Sequence, residues 1–218
     1  SRLTLERTAA TTAVAVKYLA RKDAKHLAVI GTGAQALAHI RYVFGLRDWE
    51  SVRVWSLNSH ELTEDKREEF KAAAQGRLEF VSSKAEALQK ADVILLCTSA
   101  AQAVISTTDI KGAPLITSIS TNAPGAHEVD PAMLAKMDVY CDCTPTTATV
   151  AGEMKLATEA GTWKPERVKG DLGALVNKAC EMPAYDRPVY FRSIGQGLED
   201  VAVALAVYKE IKKQGDQQ

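Results

Sequence analysis

The chain has 218 residues, of which 46% are hydrophobic and 25% charged, an ordinary composition for a soluble globular protein. Its 27 basic and 27 acidic side chains cancel to a formal net charge of zero, so nothing favours nucleic acid or an anionic membrane as a partner. No stretch reads as a membrane span or a signal peptide.

The four cysteines indicate free thiols and no metal site. Cys97 and Cys141 lie in apolar runs, and Cys141-Asp142-Cys143 lacks the spacing and the second half of a zinc site. Free thiols suit a reducing compartment, so we expect a cytoplasmic protein. The chain starts at Ser1, directly in helical sequence, and we expect it to be a piece of a longer protein or a processed one.

The first two thirds of the chain alternate between helical and strand-like segments. Short apolar runs that end at turn residues are typical of strands buried on both faces of a parallel sheet. The alternation predicts an α/β fold of the Rossmann type, a doubly wound parallel sheet with flanking helices. Helices are predicted at 3–20, 35–46, 61–75, 84–90 and 131–136, and strands at 27–30, 52–55, 78–81, 93–97, 114–120 and 139–141.

After residue 143 the regular alternation of strands and helices ends. Short helices are predicted at 152–160 and 170–178, and a lone strand at 189–191. A long helix is predicted at 195–213, with leucine, valine and alanine repeating along one side.

The segment Gly31-Thr32-Gly33-Ala34-Gln35-Ala36 follows a predicted strand and opens a predicted helix. Gly31 suits the tight turn, Gly33 lets the main chain approach a pyrophosphate, and Ala36 allows helix and strand to pack closely. The N–H groups that open the helix would face the phosphates. This context predicts a dinucleotide-binding loop.

The loop after the second predicted strand bears on the choice of cofactor. An NAD site commonly places an acid there to bind the ribose 2′-hydroxyl. Here the loop offers the polar residues Ser56, Asn58 and Ser59, with no acid before Glu61 and no arginine. We therefore expect NADP in preference to NAD, while simple solvated loop residues remain an alternative interpretation.

Further polar residues follow later strands. Thr98 and Ser99 end the fourth strand, Ser120 ends the fifth, and Ser193 and Gly195 precede the last helix. The carboxyl edge of such a sheet is where ligands bind, so we expect all five beside the cofactor. For Thr98 and Ser99 a plain strand-ending turn is an equally good interpretation.

Six segments stand in order along nearly the whole chain: Arg7-Thr8-Ala9-Ala10, residues 29–36, Ala91-Asp92-Val93-Ile94, residues 124–129, Gly152-Glu153-Met154 and residues 193–200. Together they resemble the ornithine cyclodeaminase/mu-crystallin family. Within it, the segments 118–125 and 137–142 look most like the bacterial Δ1-pyrroline-2-carboxylate reductases.

The resemblance implies roles for single residues. Arg7 matches the family arginine that binds the substrate carboxylate, and a planar guanidinium suits that task. Thr8 is a weaker candidate for the same pocket. Asn122 stands where the cyclodeaminases carry a catalytic aspartate and is expected to line the nicotinamide site. Because an amide cannot accept a proton at neutral pH, Asn122 argues against cyclodeamination.

The implied function is an NAD(P)H-dependent reductase of a small cyclic imino acid, giving proline or pipecolate. Ornithine cyclodeamination with NAD, or NADPH and small-ligand binding without turnover, remain alternatives. The resemblance also implies a homodimer and an N-terminal lobe that this sequence lacks. We accordingly expect a linking helix at 1–21, a dinucleotide-binding domain at 22–145, and a segment at 146–218 that returns to an incomplete substrate and dimerisation domain.

Overall fold

The computed structural model describes residues 1–121 and 124–215. Within them lies one eight-stranded sheet of order β3-β2-β1-β4-β5-β8-β6-β7, in which neighbouring strands are parallel. The predicted Rossmann-type α/β fold is confirmed. The strands are β1 (His26–Ile30), β2 (Ser51–Trp55), β3 (Leu78–Phe80), β4 (Val93–Leu96), β5 (Leu115–Ser118), β6 (Asp138–Cys141), β7 (Val168–Asp171) and β8 (Val189–Arg192).

Helices cover both faces of the sheet and create two apolar cores. Successive strand residues point to opposite faces. Leu27 and Val29 of β1 therefore join one core, while Ala28 and Ile30 join the other. The helices are α1 (Arg2–Leu19), α2 (Ala34–Val43), α3 (Glu64–Ala73), α4 (Lys84–Leu88), α5 (Thr144–Val150), α6 (Gly152–Glu159), α7 (Leu172–Val176) and α8 (Gly197–Gly215).

Helix α1 begins at a side-chain cap and packs against α2. The Ser1 hydroxyl accepts a hydrogen bond from the backbone N–H of Thr4 at 3.2 Å, which satisfies one donor of the first turn. Between the two helices, His39 is fully buried, and its Nε2 lies 2.9 Å from the Thr12 hydroxyl. This packing brings the first turns of α1 close to the start of α2.

Two predictions after residue 143 are wrong. The strand at 189–191 is not a lone strand, because β8 lies inside the sheet between β5 and β6. Residues 170–178 do not form one helix, since residues up to Asp171 complete β7 and only Leu172–Val176 is helical. In both cases pairing with strands distant in sequence decides the structure. The predicted domain boundary at 145 stays a prediction, although 146–218 supplies two strands of the sheet.

Helix α8 contacts α1 through its first turns, but much of its apolar side faces solvent. Neither α8 nor any other helix in the described part of the chain is long and apolar enough to cross a membrane. The exposed large apolar side chains of α8 are Leu198, Val201, Leu205, Val207, Tyr208 and Ile211.

Candidate active site

A cavity of about 950 Å³ lies at the carboxyl ends of β1, β4 and β5. In doubly wound sheets ligands bind in such a crevice, where the strand order reverses. Among the predicted site residues, Ala36 and Ser59 are not in the lining, and Asn122 lies outside the described residues. The predicted residues that line the cavity are Arg7, Gly31, Thr32, Gly33, Ala34, Gln35, Ser56, Asn58, Thr98, Ser99, Ser120, Ser193 and Gly195.

Gly31 is required by its backbone and by its neighbour. Its φ of +125° lies in a region that residues with a Cβ rarely adopt. A Cβ placed there would stand 2.3 Å from the carbonyl oxygen of Cys97, at the end of β4. The predicted tight turn is thus also a close approach between the ends of two adjacent strands.

Gly33 and the start of α2 leave open space for a ligand. A Cβ on Gly33 would meet nothing within 4 Å, so a side chain there would project into unfilled volume. Gly33 is the N-cap of α2 and provides no side-chain cap, although the first N–H groups of a helix have no partner within the helix. Open donors at a helix N-terminus suit a phosphate. Ala36 is fully buried behind this loop, consistent with the packing role predicted for it.

A chain of hydroxyls fixes the loop after β2. The Thr32 hydroxyl lies 2.9 Å from that of Ser56, and the Ser59 hydroxyl accepts from the Ser56 backbone N–H at 2.7 Å. Arg67 donates to the Ser59 carbonyl oxygen at 2.6 Å and stacks over the Phe80 ring. Ser59 therefore supports the loop from behind, and Arg67 is used in holding it.

Glu128, which the sequence analysis did not single out, joins the loops that follow β4 and β5. Its carboxylate is completely buried. One oxygen accepts from the backbone N–H and the hydroxyl of Thr98, at 2.7 and 2.8 Å. The other accepts from the Ser118 hydroxyl at 2.8 Å and from the N–H groups of Ile119 and Ser120 at 3.1 and 3.2 Å.

Asp142 performs a similar task for the loop after β8. Its Oδ2 accepts from the Ser193 hydroxyl at 3.0 Å and from the N–H groups of Ile194 and Gly195, each at 2.8 Å. Its Oδ1 accepts from the hydroxyl of Thr147. The predicted site residues Ser193 and Gly195 are consequently fixed by a buried carboxylate.

Arg192 provides positive charge behind these loops. It donates to the Ser120 carbonyl oxygen at 2.6 Å and to the Ser118 hydroxyl at 3.2 Å, and its Nε lies 3.1 Å from Glu153. The Glu153 carboxylate also accepts from the Tyr190 hydroxyl at 2.9 Å. Burial by itself would lower the pKa of Arg192, but the combined charges of Glu153, Tyr190, Glu128 and Asp142 outweigh it, and the pKa is raised. The guanidinium stays charged.

Arg7 reaches the cavity from α1 and packs on the chain at Gly195. Its Nε donates to Asp200 at 3.2 Å and its Nη1 to Glu199 at 3.3 Å, both in the first turn of α8. A Cβ at Gly195 would stand 2.3 Å from Nη1. Thr8 also lines the cavity. Arg7 is thus oriented by two carboxylates, and its predicted role with a substrate carboxylate remains a prediction.

The cavity therefore has two differently built walls. The glycine-loop wall consists of residues 31–35 and 55–58. The buried-charge wall consists of residues 97–100, 119–121 and 193–195, which are hydrogen-bonded from behind to the buried carboxylates and the arginine described above.

Sequence reasoning missed two kinds of residue. Lys84 lines the cavity at the start of α4, where it pairs with Asp109 at 3.0 Å, and a lysine opening a surface helix gives no distinct signal. Cys97 also lines the cavity, and burial raises the pKa of its thiol well above the usual range, which disfavours the reactive thiolate. In the described part of the chain, no three side chains of the metal-binding types lie close enough to hold an ion.

Comparison with known proteins gives a match across almost the whole chain. The model of the ornithine cyclodeaminase/mu-crystallin family matches residues 1–215. An NAD(P)H-dependent anabolic L-arginine dehydrogenase from Pseudomonas aeruginosa is 53% identical over 209 residues, which cover 96% of this chain and 65% of that protein. An iminosuccinate reductase from Paracoccus denitrificans is 33% identical, covering 98% of this chain and 65% of that protein.

A solved structure agrees with the fold. The Δ1-pyrroline-2-carboxylate reductase of Thermococcus litoralis, in complex with NADH and L-proline, superposes with a TM-score of 0.90 at 25% identity. The match covers 99% of this chain and 67% of that one. The chain spans about 65% of the length of the curated relatives named above. Identity is higher to the arginine dehydrogenase than to this pyrroline-2-carboxylate reductase, which differs from the expectation within the family.

Proposed function

Because the chain belongs to the ornithine cyclodeaminase/mu-crystallin family, we propose that the protein is an NAD(P)H-dependent oxidoreductase that reduces the C=N bond of a 2-imino acid. The observation that carries the proposal is the cavity at the start of α2, where an open glycine and unused N–H donors suit a pyrophosphate. The three relatives named above support it, because each is named for a substrate or product in which one carbon bears both a nitrogen and a carboxylate.

The glycine-loop wall would hold the adenosine and pyrophosphate end of the cofactor. In folds of this type the ribose of adenosine lies beside the loop after β2. The described residues of the glycine-loop wall include no aspartate or glutamate. Such a lining accepts a 2′-phosphate without repulsion, which supports NADP as the preferred cofactor and leaves NAD as the alternative.

Arg7 would hold the substrate carboxylate. Two of its nitrogens are bonded to the first turn of α8, while its Nη2 has no partner among the described residues. A substrate carboxylate could bind Nη2 directly or replace one of the two acids. The bound cofactor supplies a hydride. If the substrate enters as the protonated iminium, addition of hydride to the carbon gives the neutral amine, and no acid from the protein is needed for that step.

The first substrate to test is the imine that forms from 2-oxoarginine and ammonia, since the 53% identical relative is named an arginine dehydrogenase. The second is Δ1-pyrroline-2-carboxylate or its piperideine analogue, as the resemblance implied and as the Thermococcus litoralis enzyme supports. We also propose that the complete protein is a homodimer in the cytoplasm.

The test follows the absorbance of NADPH and NADH in the complete protein with each substrate. We expect oxidation of the reduced cofactor, and a fall of about 100-fold in kcat/KM in Arg7→Ala because a charge-assisted carboxylate contact is lost. Arg41→Ala is the matched control, since Arg41 pairs with Glu69 on the surface at 2.9 Å, and it should leave kcat/KM unchanged.

Other outcomes would identify the competing functions. Release of ammonia from ornithine without net change in NADH would establish cyclodeamination. Cofactor binding in a calorimeter without oxidation by any imine would establish a binding protein. If neither cofactor binds or is oxidised, the oxidoreductase proposal fails.

A further inference from the structure

Glu128 has more hydrogen-bond donors around it than an isolated ion pair would need. Its two oxygens accept five hydrogen bonds, from the side chain and main chain of Thr98, from the Ser118 hydroxyl, and from two consecutive N–H groups at Ile119 and Ser120. A carboxylate offers about four lone-pair sites and only accepts, so donors of this number suit the ionised form. Three of the five come from main chain, which means that Glu128 determines where backbone lies.

The position of Glu128 is itself fixed by main chain. Its carbonyl oxygen accepts from the N–H groups of Val104 and Ile105 at 2.8 and 3.2 Å, and the next residue, Val129, forms a parallel bridge with Ile105. The carboxylate therefore stands on a separate anchored segment and reaches both loops from outside the sheet.

The two loops that Glu128 joins belong to the same part of the cavity. β4 and β5 are adjacent parallel strands in which Leu96 pairs with Ser118, so the loops that follow them emerge side by side. If the adenosine end lies toward β2 and the pyrophosphate lies at α2, the other end of a dinucleotide extends over β4 and β5. That end carries the nicotinamide.

We propose that Glu128 is a positioning residue, which sets the distance between the loops after β4 and β5 and thereby fixes the nicotinamide for hydride transfer. The inference rests on the proposed function and deepens it. Glu128 does not line the cavity, whereas three of the residues that it holds, Thr98, Ile119 and Ser120, do. Ser118 connects it to Arg192, whose guanidinium donates to the same hydroxyl and compensates the buried negative charge.

The first test needs no cofactor. In Glu128→Gln an amide NH₂ group would face N–H donors, so hydrogen exchange of the Thr98, Ile119 and Ser120 amides should become at least about tenfold faster. Asp92→Asn is the matched control. The Asp92 carboxylate accepts from the Lys25 and His26 amides at 2.7 and 2.9 Å, at the opposite edge of the sheet. Asp92→Asn should accelerate exchange only there. Equal exchange in the two variants at the cavity loops would overturn the proposal.

The second test measures the functional consequence in the complete protein. Below the melting temperature of each variant, Glu128→Gln should weaken NADPH binding about tenfold and lower kcat. The kinetic isotope effect on kcat with 4-deuterated NADPH should increase, because a displaced nicotinamide slows hydride transfer itself. A variant that is only less stable would lose active protein but keep the wild-type isotope effect and affinity, and that result would overturn the positioning role.

A milder variant covers the case in which Glu128→Gln does not fold. Ser118→Ala removes one of the five donors and leaves the cavity lining intact. We expect the same changes in a smaller degree, with about threefold weaker NADPH binding. Unchanged affinity and unchanged exchange in this variant would contradict the proposal. If the wild-type protein binds no cofactor, the proposed function fails, whereas the exchange experiment still decides whether Glu128 joins the loops.

Discussion

The two walls of the cavity are held by different forces. In the glycine-loop wall, shape comes from backbone conformation at Gly31, a helix N-terminus and hydroxyl contacts between residues close to one another in the two strand-end loops. In the buried-charge wall, shape comes from Glu128, Asp142 and Arg192, all of which are buried. One wall is therefore specified by backbone geometry and uncharged contacts, and the other by buried charges.

The difference has an energetic side. A glycine turn loses little stability if its surroundings shift, because its backbone conformation is intrinsic to the chain. A buried ion that loses a partner cannot recover the hydration it gave up on folding, so the rest of the structure must move or unfold. We therefore expect the buried-charge wall to be the more fragile wall, and three experiments examine that expectation.

The largest effect is expected for Arg192→Met. The substitution leaves the Glu153 carboxylate buried without its ion-pair partner and should lower the free energy of unfolding by about 4 kcal/mol. The measurement is urea denaturation. In Arg192→Met combined with Glu153→Gln, part of the loss should be recovered, because no unpaired charge remains. Arg41→Met, at an exposed pair, should change stability little. A loss in Arg192→Met no larger than in Arg41→Met would contradict the contrast between the walls.

The second experiment sharpens the description of the glycine-loop wall. Gly31→Ala combines a left-handed φ with a contact of 2.3 Å to a backbone oxygen, and should lower the free energy of unfolding by about 3 to 4 kcal/mol. Gly33→Ala has an ordinary φ and open space around the new methyl group. It should fold as stably as wild type and bind NADPH about tenfold more weakly, because the methyl group occupies ligand volume. Equal stability of both variants would show that Gly31 is not a required turn.

The third experiment tests for a pH-sensitive group in helix α2, whose first residues belong to the glycine-loop wall. Burial lowers the pKa of His39 from 6.5 to about 4. The neutral imidazole is thus favoured in the folded state, and the associated stability is complete above pH 6.5 and is lost as the pH falls toward 4. The loss should reach about 3 kcal/mol.

The comparison is between the pH dependence of unfolding in wild type and in His39→Gln, in which the His39 contribution should disappear. His60→Gln, at an exposed histidine, is the control and should keep the wild-type dependence. If the stability of His39→Gln falls between pH 6.5 and 4 as much as that of wild type, another group is responsible for the pH dependence.

The same contrast explains what could be predicted from the sequence. The turn at Gly31, the helix after it and the polar loop after β2 follow from neighbouring residues, and they were located correctly. Glu128 and Asp142 give no local signal, since their partners lie up to 30 and 53 positions away in the sequence. The place of β8 was missed for a related reason. A short apolar run indicates a strand but not its neighbours, and only pairing with β5 and β6 puts Arg192 beneath the cavity.

The support of one wall from behind also bears on how this kind of protein can acquire new substrates. Three of the five hydrogen bonds to Glu128 come from main-chain N–H groups, and among the described side chains that the loops after β4 and β5 turn toward the cavity only the Thr98 hydroxyl contributes another. The other lining side chains can be exchanged by mutation while these main-chain hydrogen bonds to Glu128 remain. Enzymes named for arginine, iminosuccinate and pyrroline-2-carboxylate share this fold, and a frame that separates the shape of a site from its chemistry is a physical route to such diversification.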